Sequence, residues 1–193
     1  FAEGQSAISN SALLTVNAGG TFKLNSNEEI GSLTGSGTVD FGTSVLTLSG
    51  SVDTTFSGLL TNTAGGFDKV GPSVFTVVGD NNFIGGMTLV GGAVQAGHDR
   101  AMGTGRLIFK GGRFSSDNAN SRRLANPMSW SGSFIFGHEI NNGVLTFDGD
   151  ADLTEASPIT VDFKSEVIMK GKIRGGTQAA WVKSGSGNLV LDS

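Results

Sequence analysis

The chain has 193 residues and a formal net charge of -4, the length of one domain or of part of one. Gly supplies 31 residues, more than twice the usual ~7%, which argues against a helical protein, while 13 Phe and 37% hydrophobic residues argue against a disordered one. The acidic balance leaves no basic footprint for nucleic acid, and the absence of Cys excludes disulfide and thiol chemistry.

Phe1-Ala2-Glu3-Gly4 carries no initiator Met and no signal pattern, which predicts a start inside a longer polypeptide. Short alternating runs follow: Ala12–Val16, Thr21–Leu24, Thr38–Phe41, Val45–Leu48 and Val74–Val78. Further on come Leu107–Lys110, Phe134–Phe136, Val144–Phe147 and Ile159–Phe163. Each has a period near 2, the mark of a half-buried strand. Gly-Gly, Gly-x-Gly or Asn-Gly separates them, with no long connection and no run apolar enough to predict a membrane-spanning helix. The sequence also repeats loosely. Lys69-Val70-Gly71-Pro72-Ser73-Val74-Phe75 returns as Lys183-Ser184-Gly185-Ser186-Gly187-Asn188-Leu189, and Ser32–Val39 is a weaker copy. Copies of a strand-and-turn unit predict stacked coils, each burying its apolar side on its neighbours. Gly suits the corners, and Asn can bond the coils above and below. Coils of roughly 20–25 residues give about eight or nine, a rod ~40 Å long at ~4.8 Å per coil.

Gly65-Gly66-Phe67-Asp68-Lys69-Val70-Gly71 runs on through Phe75, Val77, Gly79, Asn81, Phe83, Gly85-Gly86, Leu89, Gly92 and Val94. This stretch, 65–97, resembles the passenger-associated transport repeat (the autotransporter-associated β-strand repeat) of autotransporter passenger domains from Gram-negative bacteria. A second copy, 175–193, stops at Ser193. Ala101–Leu107 and Arg123–Pro127 resemble the segments that flank the repeat. Two departures are Gly71-Pro72-Ser73 in place of Gly-x-Gly, and Phe83 in place of the common Tyr. The resemblance implies a right-handed parallel β-helix, all of 1–193 being one segment of a longer passenger, secreted or at the cell surface. A separate C-terminal barrel anchors such proteins in the outer membrane.

The chemistry-bearing residues are few. His98 and His138 stand apart with no metal-type spacing. His98 reads as a solvated corner residue; His138-Glu139 lies between a strand and the turn Asn141-Asn142-Gly143. Gly35-Ser36-Gly37, Gly103-Thr104-Gly105 and Gly185-Ser186-Gly187 have no following helix and read as corners. Asp148, Asp150 and Asp152 alternate and would face one way in a strand; they read as an acidic solvated face, with a hard-cation or enzyme site as the alternative with Glu155 nearby, although the twelve-residue calcium loop fails at Leu153 and Ile159. Arg113, Arg122, Arg123 and Lys164, Lys170, Lys172, Arg174 read as solubilising outward positions. Trp181 reads as core, and Trp130 fits either side.

The expectation is a structural, non-enzymatic β-helix stalk without cofactor or metal, which assists export and folding of its passenger and serves adhesion or self-association. The alternative is a carbohydrate-active β-helix enzyme. Its partners are neighbouring coils of the parent chain, a self-associating copy, or a host or neighbouring-cell surface. Phe75, Val77, Phe83, Leu89 and Val94 should be buried, with Asp68 and Lys69 near the surface. Leu189 and Leu191 should be more exposed than Leu46 and Leu48, an open edge that predicts end-to-end association.

Overall fold

The computed structural model describes residues 7–153, 157–162, 164–175 and 181–192. They form a parallel β-solenoid with 24 short strands and no helix, hence no helix long and apolar enough to cross a membrane. A nine-stranded sheet runs from Leu13–Val16 to Trp181–Ser184, which makes eight steps from coil to coil. An eight-stranded sheet, from Glu28–Ile30 to Ile173–Gly175, forms the second face. The third face is split into a three-stranded sheet ending at Leu59–Thr61 and a four-stranded sheet starting at Arg122–Leu124.

Every strand pairs in parallel with strands one coil away, as the repeat spacing predicts. The step ranges from 17 residues (Thr21 to Thr38) to 25 residues (Phe134 to Ile159), somewhat wider than the spacing expected from sequence. Strands of three or four residues between frequent turns are too short to bury much alone. Their inward side chains stack on those of the next coil, so stability is shared between neighbours.

The core is one continuous column. Phe75, Val77, Phe83, Leu89 and Val94 are all buried, as the alternation predicts. Trp130 is buried too, against Phe134. Phe109 packs on Phe114, Phe134 and Phe136 at centroid distances of 5.6, 5.1 and 5.3 Å. The core place expected for Trp181 concerns a side chain outside the described residues, as do Phe163 and Glu155. Leu191 is 56% exposed and Leu189 half-buried, whereas Leu46 and Leu48 are buried.

The third face is interrupted where residues 78–86 and 97–106 form no strand. There a side chain continues the ladder. Asn81 accepts the amide of Leu60, 21 residues back, at 2.8 Å and donates to the carbonyl of Ala101, 20 residues on, at 2.8 Å. Asn126 donates to the carbonyls of Met102, Gly103 and Gly105. Asn thus works here through its amide. Among the described residues, the only non-Gly residue at positive φ is Lys164.

Lys69 corrects the expectation that it lies near the surface: it is fully buried. It pairs with Leu48 and Leu89 on the inward pleat, two residues after the buried Phe67, so pleat parity outweighs the charge. Its ammonium donates to the carbonyl of Gly71 in the next corner. Gly92 leaves it that room: at φ +63° a Cβ there would lie 2.7 Å from Nζ and 2.2 Å from the Gly71 oxygen. Burial lowers the Lys69 pKa to about 8, against the opposing pull of Asp53.

Candidate functional site

On the outer face of the nine-stranded sheet, alternate residues of successive coils form straight rows. Thr15, Thr34, Thr55, Thr76, Gln95 and Ser115 occupy one row, coil by coil. Thr34 Oγ1 donates to the Thr55 carbonyl, and Thr76 Oγ1 to Gln95 Oε1 at 3.0 Å. Asp53 precedes Thr54 on the neighbouring row, where its Oδ1 accepts the Val74 amide at 2.8 Å.

A loop from Gly137 to Gly143 leaves the strand Phe134–Phe136 and returns over this face. Gly137 has φ +85°, and a Cβ there would strike Ser165 Oγ at 2.1 Å, so only Gly lets the chain turn at this point. Ser165 Oγ in turn accepts the His138 amide. At the far end the Gly143 amide bonds the Asn118 carbonyl and Ser116 Oγ. The loop is therefore tied down at both roots, while its tip residue Ile140 is 77% exposed.

Loop and sheet enclose an open cleft of about 370 Å³. Asp53, Thr55, Thr76 and Gln95 line its floor, and His138, Ile140 and Asn141 line its side. His138 Nδ1 accepts the amides of Ile140 (3.1 Å) and Asn141 (3.3 Å). With Nδ1 engaged as an acceptor, Nε2 is the ring nitrogen left to meet a ligand. Among the described residues, no Arg or Lys lines the cleft, and Asp53 is its one carboxylate.

The other candidate residues are scattered. Asp148, Asp150 and Asp152 do not share a strand face: the first follows the strand Leu145–Phe147, and the last lies in Ala151–Leu153 on another sheet. Each meets a different arginine, Arg123 at 2.7 Å, Arg174 at 2.8 Å and Arg106 at 2.8 Å respectively. The Asp150 carboxyl is held below its usual range by the Lys172 amide and then by Arg174. Among the described residues, no group of three or more His, Cys, Asp or Glu could hold a metal ion. Arg113 and Arg122 likewise pair with Asp162 and Asp117. His98 is half-exposed at its corner, 4.0 Å from Asp80. Gly103-Thr104-Gly105 and Gly185-Ser186-Gly187 lie outside strands, and Gly35-Ser36-Gly37 begins on the last residue of the strand Ser32–Gly35.

Of the cleft residues, sequence reading reached only His138 and the Asn141 turn. The row Thr55–Thr76–Gln95 was signalled by its steps of 21 and 19 residues, which become visible once the strands are in register. No family model, no curated protein and no solved structure matches this chain.

Proposed function

We propose that this chain is a stretch of an extracellular β-solenoid stalk of the autotransporter-passenger type, secreted or displayed at the cell surface. In this reading its coils act mechanically. Each newly emerged coil pairs with the one before it, which opposes back-sliding and assists export. The observation that carries the reading is the pairing itself: strands bond only to neighbouring coils, so folding can advance one coil at a time. The stretch that resembles the transport repeat gives further support. Its Lys69, Asn81 and Phe83 are all buried and hold corners or neighbouring coils together.

The test is display at a bacterial surface, with the chain fused ahead of an outer-membrane β-barrel. Phe109→Asp places a charge in the core column and should lower protease-accessible surface protein several-fold. Display at the unsubstituted level, with the coils shown to be unfolded, would refute a role for coil folding in export.

A further inference from the structure

We infer that the cleft beneath the Gly137–Gly143 loop is a binding site for a neutral oligosaccharide. Its lining leaves polar groups without protein partners on both walls. Gln95 gives its Oε1 to Thr76 and keeps both amide N–H donors. Asp53 gives one carboxylate oxygen to the Val74 amide and keeps the other. Among the described residues, His138 Nε2, the Thr55 hydroxyl and the Asn141 side-chain carboxamide also have no partner. Donors and acceptors thus alternate within one small space, and a polyhydroxylated ligand is both to the same degree. Val74 and Ile140 add apolar surface for the C–H face of a sugar ring.

Charge narrows the class. Asp53 is the one carboxylate and no cation is present among the described lining residues, and although Lys69 feels the Asp53 charge from the core side, the lining favours neutral sugars over uronates, sulfated sugars and phosphates. Size and shape narrow it further. About 370 Å³ is near the lower end of the ~300–1,000 Å³ typical of ligand sites, and the cleft is open to solvent, so a ligand longer than one sugar can extend out of it. The floor is also repetitive, with Thr55, Thr76 and Gln95 spaced ~4.8 Å apart by the coil pitch. A row of evenly spaced groups suits a chain of sugars better than a single one.

The test is amide chemical-shift mapping of the whole chain with maltotriose and cellotriose, with glucose, and with trigalacturonate. At least one neutral trisaccharide should shift Thr55, Thr76, Gln95 and Asn141 saturably, with a Kd of about 1 mM or tighter. Glucose should bind roughly tenfold more weakly, and trigalacturonate more weakly still. Gln95→Leu and Thr76→Val each change an outward side chain and should weaken binding about tenfold with the coils intact. Asp53→Asn should narrow the gap between neutral and anionic sugars. The inference fails if neither trisaccharide shifts these amides, if the shifts map elsewhere, if glucose or trigalacturonate binds as well, or if both folded variants keep full affinity. None of these results bears on the stalk reading, which display tests separately.

Discussion

The coils before Gly111 and those after it are fastened by different means. In the first region coil steps are 17 to 21 residues, and corners close with the buried Asn81 or with the buried Lys69. Its ion pairs Lys23–Asp40 and Arg100–Asp80 also join neighbouring coils at the surface, but among the described residues they are fewer than those of the second region. In the second region the steps lengthen to 22–25 residues. Arginines and lysines there reach between coils: Arg113 to Asp162, Arg123 to Asp148, Arg174 to Asp150 and Lys170 to Asp192. A short coil has no spare corner residues, so its corner can be pinned from inside. A longer one carries extra chain whose entropy must be held from outside, and charged side chains are long enough to do it.

The column of rings that both regions share should be the most sensitive place. Phe109 touches rings from its own coil and from the next one, so Phe109→Ala should cost about 3–5 kcal/mol in denaturant unfolding. A loss below about 1 kcal/mol would mean that the two regions do not share one core.

Asn81→Ala comes next and bears on the first region alone. It orphans the Leu60 amide and the Ala101 carbonyl, each buried group costing about 1–3 kcal/mol when unpaired. Hydrogen exchange should speed up at Leu60 and the coils around it, and much less beyond Arg122. Equal acceleration throughout would show one cooperative unit rather than two differently fastened regions.

Lys69 gives a pH test of the same region. Its folded pKa of about 8 lies below the ordinary 10.5, so between those values the unfolded chain holds more protons. Stability should therefore rise with pH across that window by up to about 3 kcal/mol, and below it the full cost of the buried charge is present. The chain has no Tyr and no Cys to titrate in that window. Lys69→Met should flatten the rise. A rise of unchanged size in that variant would place its source elsewhere.

Strand positions and core residues were legible in the sequence, because alternation survives even in runs of three or four residues. Val45–Leu48 and Phe134–Phe136 coincide with strands to the residue. What failed was reasoning from residue type against pleat. Lys69 was placed outside because it is charged, although its spacing from Phe67 puts it inside. Glu28 was missed for a similar reason: it is buried and accepts the amides of Ala7 and Ile8 from the preceding coil. Asp148, Asp150 and Asp152 were read as one strand face, but a corner falls between them. The cleft was the least legible feature. It depends on which residues stack across coils whose lengths vary, and on a loop that folds back over earlier coils.

The smallest expected effect lies in the second region and tests the outside fastening directly. The Arg113 guanidinium donates to the Gly137 carbonyl at 2.6 Å and to Asp162, so it ties the root of the cleft loop to the coils on either side of it. Its side chain is 27% exposed and that of Asp162 25%, which leaves the pair partly open to screening. Exposed ion pairs contribute about 0–1 kcal/mol, and 1 M salt shortens the Debye length to ~3 Å. Salt at that level should therefore speed exchange of the Ile140, Asn141 and Gly143 amides by a few-fold and leave Leu60 unchanged. Arg113→Gln should produce the same acceleration without salt, because it keeps a donor for Gly137 and removes the charge that Asp162 meets. In that variant added salt should have little further effect on the loop. If the loop amides respond to salt as strongly as before, Arg113 is not the fastener, and the hydrogen bonds from Ser116 and Ser165 hold the loop on their own.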